Sequence, residues 1–315
     1  MAPCRNFSFD TNARDLDSVD RLLQGVRQNL LAGSLDAPCR TCPDKPRASI
    51  AELASSLAQS GYDDRNIMLD DVRDVISADT VTPPAELTYR VAHTRDASEF
   101  RVSGLITTFD FVPLIEKYDQ AGERRILDWG CGSGRLSLPL AQRHPEWQLS
   151  GCDIDREAVE WCQQNIPGDF RVIEPVPPTS FDRHQFTTVI AYSVMTHLSR
   201  EMQEEWMREL HGLLVDDGVV ILTTMGEAAA RRHGLDRGLR ARGILDERLD
   251  ATLDEIAPVG YYRSTFQSRQ YTERAWRKYF DVLEYIDAGA FHYQDIVVLR
   301  KRSRPRGLWR RFWRN

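Results

Sequence analysis

From Arg125 onward, short apolar runs alternate with amphipathic stretches. Runs at 125–129, 148–153, 170–173, 187–192, 218–224, 280–286 and 294–300 have the length and side-chain make-up of strands. The stretches 135–143, 156–165 and 200–214 repeat apolar residues at helical spacing. Apolar strands separated by such helices predict a mostly parallel sheet covered on both faces. Only residues 287–293 join the last two runs, too few for a crossover, so an antiparallel hairpin is expected at one edge.

Ahead of that region the period is helical. Val19, Leu22, Leu23, Val26, Leu30 and Leu31 mark a helix over 17–33 that Gly33 ends, and a shorter one is expected over 50–59, closed by Gly61. Thr82-Pro83-Pro84 breaks the pattern and sets the expected boundary. Phe100, Leu105, Ile106, Phe109, Val112 and Ile115 then supply helical packing material. The expected organisation is a helical extension over 1–82, an α/β domain over 83–302 and a tail over 303–315.

The most informative segment is Ile126-Leu127-Asp128-Trp129-Gly130-Cys131-Gly132-Ser133-Gly134-Arg135. A buried strand ends in an acid and runs into three glycines at alternate positions before a helix. Glycine is needed where main chain turns sharply and approaches a ligand with no side chain between them. A nicotinamide or flavin site would need Gly-x-Gly-x-x-Gly, and Arg135 stands where the last glycine should be. Asp153, 19 residues beyond Gly134, ends the next strand in Leu149-Ser150-Gly151-Cys152-Asp153-Ile154-Asp155, where a carboxylate can accept both hydroxyls of a ribose. Asp155 reads as the cap of the following helix.

This acid-first, alternating-glycine form resembles the first motif of class I S-adenosylmethionine-dependent methyltransferases. The likeness continues through Glu174–Phe181, the run Thr187 to His197, and Leu213 to Leu222. Thr187 departs from the family pattern, which usually has aspartate just before the fourth strand. The resemblance implies a three-layer Rossmann-like fold, a seven-stranded mostly parallel sheet with helices on both faces, beside the helical N-terminal extension. It implies S-adenosyl-L-methionine as cofactor, held by Asp128, Gly130, Cys131, Gly132, Gly134, Asp153, Ile154, Tyr192 and Ser193, with Asp128 facing a cationic amino group.

Methyl transfer to a hydroxyl needs a proton removed, and histidine suits that task near neutral pH. His197 follows the fourth strand and is the candidate base; the competing reading is that it orders the turn before the helix capped by Ser199. His93 and His292 carry no comparable signal. The long segment 226–277 is rich in arginine up to Arg248 and then in aromatics (Tyr261, Tyr262, Phe266, Tyr271 and Trp276), which suits a substrate lid. Against that stands simple packing of Trp276 and Phe280 onto the sheet. The expected activity is methylation, at oxygen, of a small molecule or glycan. An NAD-dependent oxidoreductase using the same loop, or a non-catalytic cofactor binder, are the alternatives.

Charge changes this picture at one end. The chain is net −6, yet residues 300–315 hold eight basic side chains and no acidic one, so the remainder carries 33 basic against 47 acidic residues, a net of −14. In the tail, Leu308, Trp309, Phe312 and Trp313 sit at helical spacing beside Arg310, Arg311 and Arg314. That pattern fits contact with an anionic membrane surface, against a terminus docked on its own acidic body. No RNA-reading module accompanies it, so no nucleic-acid partner is expected. No apolar signal core is seen at the N-terminus, so the expected location is cytoplasmic, peripheral at the inner membrane face through the tail. The six cysteines show no disulfide framework. Cys39 and Cys42 have metal-knuckle spacing with only Cys4 upstream, short of the four ligands a zinc or iron–sulfur site wants, and no metal is assigned.

Overall fold

The computed structural model describes residues 81–250, 254–290 and 293–302. The helices expected over 17–33 and 50–59, the Cys39–Cys42 loop, His292 and the basic tail lie outside the described residues. The described chain opens with α1 (Ala85–Ala92) and α2 (Ala97–Tyr118). It continues through β1 (Arg125–Trp129), α3 (Ser137–Arg143), β2 (Gln148–Asp153), α4 (Arg156–Asn165), β3 (Asp169–Val172) and β4 (Phe186–Ala191). A short 3-10 turn, Met195–His197, leads to α5 (Arg200–Leu213) and β5 (Leu214–Thr224). Then come α6 (Glu227–Arg232), α7 (Asp236–Arg242), β6 (Ile244–Leu249), β7 (Arg263–Gln267), α8 (Arg269–Trp276), β8 (Phe280–Ala290) and β9 (Gln294–Lys301).

The chain divides into two compact units between Ile106 and Thr107, inside α2. In the first, Pro84 stands at the N-cap of α1, and His93 ends that helix in the left-handed region and is exposed. The second unit is built on a seven-stranded sheet in the order β3-β2-β1-β4-β5-β9-β8. β1 to β5 run parallel, and β9 pairs antiparallel with both β5 and β8. The edge hairpin and the seven strands follow the pattern read from the sequence. β8 alternates buried and exposed positions as an edge strand should, whereas β4 is buried throughout.

Alternation in each strand feeds two cores. Leu127, Trp129, Val189, Val220, Leu222 and Val297 face Trp206, Met207 and Leu210 of α5. Ile126, Ile190, Ile221, Ile296 and Val298 face Phe111, Leu114 and Ile115 of α2, with Val159 and Cys162 of α4. Trp276 and Phe280 join the first core, as plain packing predicts. Among the described residues, no helix is long and apolar enough to cross a membrane.

The departure at Thr187 has a physical resolution. The Thr187 and Thr188 hydroxyls both donate to Oδ2 of buried Asp119, at 2.7 and 2.9 Å, and Ala121 N–H donates to its Oδ1 at 2.9 Å. A carboxylate is therefore present at the foot of β4, brought there from the end of α2. Asp119→Ala leaves two buried hydroxyls and a main-chain N–H without this acceptor. The expected loss is about 1–3 kcal/mol in urea unfolding, and an unchanged midpoint would refute the assignment.

The segment 226–277 carries regular structure of its own. α6 and α7 pack with the β6–β7 hairpin around Met225, Ala229, Ala230, Leu239, Leu245 and Phe266, a small core of their own. The insert is stitched to the main sheet where Gln267 N–H donates to Met225 O at 2.9 Å. Thr265 Oγ1 donates to Leu198 O at 2.8 Å, so β7 lies against the 3-10 turn that carries His197.

Candidate active site

The glycine loop leaves β1 at the carboxyl edge of the sheet. Gly130, Gly132 and Gly134 have φ of 76°, 51° and 80°, a region that side-chain-bearing residues rarely enter. Space is refused as well: a Cβ on Gly130 would lie 2.3 Å from Val194 Cγ2, and one on Gly134 would lie 2.5 Å from Ile166 Cδ1. The N–H groups of Gly130 and Cys131 both donate to Cys152 O, at 2.8 and 3.1 Å, which ties the loop to the end of β2. Gly132 N–H donates to Asp153 Oδ2 at 2.7 Å, and Asp155 N–H to Asp153 Oδ1 at 2.9 Å. Each carboxylate oxygen keeps lone-pair capacity for a further donor. Asp155 also caps α4, as read from the sequence.

Asp128 is 2% exposed and its Oδ2 accepts the Ser137 hydroxyl at 2.6 Å. Burial pushes its carboxyl up to about 7, with the Asp153 charge adding to the rise and the Ser137 hydrogen bond and Arg135 opposing it. Asp153 is likewise raised by burial, against the pull of its main-chain hydrogen bonds. Burial and the Asp153 charge both penalise ionised Asp128, a penalty that a bound cation would relieve.

Cys131 lies in the loop but its side chain is turned into the core. The Cys131 and Cys162 thiols both approach Gly132 O, at 3.6 and 3.5 Å. The neighbouring Cys162 thiol and burial hold the Cys131 thiol well above its ordinary value. Only its main chain is available to a ligand. Cys131, Cys152 and Cys162 are free thiols. Ile154, half-buried, packs on the edge of the α5-side core just beyond Asp153.

Tyr192 and Ser193 follow β4. The Arg135 guanidinium lies 4.3 Å from the centre of the Tyr192 ring, which meets Phe111 edge-on. Arg135 Nε is buried with no hydrogen-bond partner, and burial depresses this guanidinium's proton affinity. The residue that argued against a dinucleotide site is thus a cation placed beside the glycine loop. Sequence reading noted Arg135 only as a missing glycine. Ser193 has φ 64°, unusual for a non-glycine residue, and its N–H donates to Thr223 Oγ1 at 2.8 Å.

His197 is fixed from two sides. Its ring stacks on Tyr262 with centroids 3.9 Å apart and planes 13° from parallel. Nδ1 lies 2.8 Å from Arg263 O. A carbonyl only accepts, so Nδ1 carries a proton, and in the neutral form of the ring the basic nitrogen is Nε2. Nε2 is 3.5 Å from Ser193 Oγ. Burial raises the Tyr262 hydroxyl well above its ordinary value, with Asp250 and Asp153 adding to the effect. Next to it, the Tyr261 hydroxyl donates to Pro175 O.

Residues 126–218 match a family model described as a methyltransferase domain. Curated relatives include the release factor glutamine methyltransferase of Streptococcus pneumoniae, 34% identical over 58 residues, or 18% of this chain and 21% of that protein. Another is a tRNA1(Val) (adenine(37)-N6)-methyltransferase of Yersinia pestis, 34% identical over 77 residues, or 24% of this chain and 28% of that one. The matches therefore span between a fifth and three tenths of those relatives' own lengths. Similar solved structures include magnesium protoporphyrin IX methyltransferase from Synechocystis with bound SAH, at 17% identity and TM-score 0.45, over 75% of this chain and 95% of that one. A second is an S-adenosylmethionine dependent methyltransferase from Mesorhizobium loti, at 14% identity and TM-score 0.46, over 62% and 100%. Residues 126–218, which hold the glycine loop and both of its carboxylates, are a methyltransferase domain.

Proposed function

We propose that the protein transfers a methyl group to a hydroxyl oxygen of a small molecule or glycan, with His197 as the base. The observation that carries this reading is the His197 geometry: a proton fixed on Nδ1 by Arg263 O leaves Nε2 as a base at the carboxyl edge of the sheet. S-adenosylmethionine, when bound, supplies a methyl group on a cationic sulfur. The chain's residues fit it. The cradle over Gly130 to Gly134 has no room for a Cβ at either end, and the orphaned Arg135 Nε awaits an anionic group.

In this reading Asp128 offsets the charge of the donor's amino group and Arg135 takes its carboxylate. Asp153 accepts the ribose hydroxyls, Ile154 packs beneath the neighbouring ring, and Tyr192 and Ser193 border the sulfur end. The acceptor's O–H gives its proton to His197 Nε2 as the new carbon–oxygen bond forms, and the ring later releases that proton to solvent. Alignment and exclusion of water supply most of the rate. Tyr262 brings a ring of the insert onto His197 and Tyr261 ties the insert to Pro175 O, a covered edge that suits a small acceptor or a single sugar. The likeness to the tRNA enzyme extends over 24% of this chain, too little to carry its acceptor across.

Release of S-adenosylhomocysteine across nucleotide sugars, glycans and hydroxylated metabolites, with tRNA and protein as parallel arms, tests the proposal. Turnover with a hydroxyl compound and a product heavier by one methyl supports it. Turnover confined to tRNA or protein sinks it.

Asp128 makes cofactor affinity depend on pH. Free, its carboxyl holds a proton up to about 7; gripping an ammonium requires the ionised form. The dissociation constant for S-adenosylhomocysteine is expected to rise about tenfold per pH unit below 7 and to level off above it. Folding without ligand shows the opposite sign. The native state binds more protons than the unfolded chain between the ordinary value of 3.8 and about 7, so stability falls as pH rises through that window and is flat beyond it. Calorimetric titrations from pH 5.5 to 8 check the first claim, and Asp128→Asn should flatten both curves.

A further inference from the structure

Resting on that reading, we propose that Gln294 selects the methyl acceptor, and that the acceptor carries a second O–H or N–H next to the hydroxyl that is methylated. Gln294 is 7% exposed and opens β9, next to the carboxyl end of β5. Its Nε2 donates to Ser193 Oγ at 3.0 Å, while its Oε1 is buried without a hydrogen-bond partner.

The orientation of that amide follows from its neighbours. The Thr196 hydroxyl donates to Ser193 O at 2.8 Å, so its proton is spent. Thr196 Oγ1 and Ser193 Oγ are 3.0 Å apart, and the proton between them must then come from Ser193. With its own proton given to Thr196, Ser193 Oγ can only accept from Gln294. The amide must present Nε2 to the serine and turn its carbonyl oxygen away. A buried carbonyl left unpaired costs free energy that a ligand's donor recovers.

His197 Nε2 lies 3.5 Å from Ser193 Oγ, and the Gln294 amide meets the same oxygen through Nε2 at 3.0 Å, which leaves its Oε1 as a second acceptor on the same amide. One suits the proton of the reacting hydroxyl and the other suits a neighbouring donor that is kept. A vicinal diol, a catechol or an amino alcohol meets both; a lone hydroxyl meets one.

The test uses full-length protein loaded with S-adenosylhomocysteine and two matched probe pairs, catechol with phenol and cis-cyclohexane-1,2-diol with cyclohexanol, titrated by NMR. Wild-type protein is expected to bind each diol about tenfold more tightly than its partner. Gln294→Met, close in shape but with no acceptor oxygen, should bring that ratio to about one. Gln294→Glu, whose protonated carboxyl keeps both a donor for Ser193 and a free carbonyl oxygen, should restore it at low pH. The melting-temperature rise caused by S-adenosylhomocysteine should be the same in all three, which separates lost recognition from lost folding. Equal affinities within each pair, no diol binding at millimolar concentration, or a preference retained by Gln294→Met would each overturn the inference. Failure of wild-type protein to gain stability from S-adenosylhomocysteine would instead overturn the methyl-transfer reading on which it rests.

Discussion

Gly130→Ala is expected to lower stability by about 2–4 kcal/mol and to abolish measurable binding of S-adenosylhomocysteine. Two costs add. The backbone at this position has φ 76°, which a residue with a Cβ adopts at roughly 1–2 kcal/mol. The new methyl would also meet Val194 Cγ2 at 2.3 Å, and a β-branched side chain has few rotamers into which to retreat. Relief must then come from the loop, where the N–H groups of residues 130 and 131 share Cys152 O. Moving them displaces Gly132 N–H from Asp153 as well, so the main-chain cradle and its carboxylate are disturbed together. Gly234→Ala is the matched control. It has φ 69° but nothing within 4 Å of the added atom, so it should cost about 1 kcal/mol and leave cofactor affinity alone. Urea unfolding and isothermal calorimetry on both variants measure these effects. A Gly130→Ala protein that binds within threefold of wild type would show that the loop does not close on the ligand.

What the sequence disclosed and what it concealed follow from the range of the interactions involved. β1, β2 and β4 are buried runs whose residues alone demand a covered sheet, and the glycine loop is a local conformational requirement. These features need no knowledge of distant parts of the chain. The edge hairpin was legible for the same reason, from a short connection between two apolar runs. β6 and β7 were not. Their pairing slips between Leu245 and Arg248, the outer half of β6 is exposed, and their apolar residues serve a small core assembled from α6 and α7. Period-two alternation never runs long enough there to signal a strand. Among site residues, Asp153 and His197 stand at the ends of recognisable strands or turns. Gln294 is 101 positions from Ser193, and nothing local to either announces their contact. One weak signal existed: Gln294 and Asp295 are polar residues at the head of an otherwise apolar strand, and both are buried. Arg135 was visible as a missing glycine, yet its burial beside the loop required the fold.

His197→Asn and His197→Ala should fail differently, and the difference separates base from scaffold. Asparagine can still place an N–H where Nδ1 stands, so the bond to Arg263 O survives and the 3-10 turn stays against β7. Its stability and its affinity for S-adenosylhomocysteine are expected to stay near wild type. It has no basic nitrogen, however, and turnover of a hydroxyl acceptor should fall by about 10²–10⁴-fold, in kcat and not in KM. Alanine loses the same base and also the stack on Tyr262 and the partner of Arg263 O, so about 1–2 kcal/mol of stability should go with the activity. In both variants the residual rate should climb with pH, because hydroxide or the acceptor's own ionisation must do what the imidazole did. A purely structural histidine predicts the reverse order: Asn close to wild type in turnover, and Ala slow only in proportion to its unfolding. Steady-state kinetics from pH 6 to 10, with circular dichroism on the same samples, decide between them. An Asn variant that turns over at the wild-type rate would leave His197 as the strut that holds the insert to the turn, and the base would have to be sought elsewhere on the carboxyl edge.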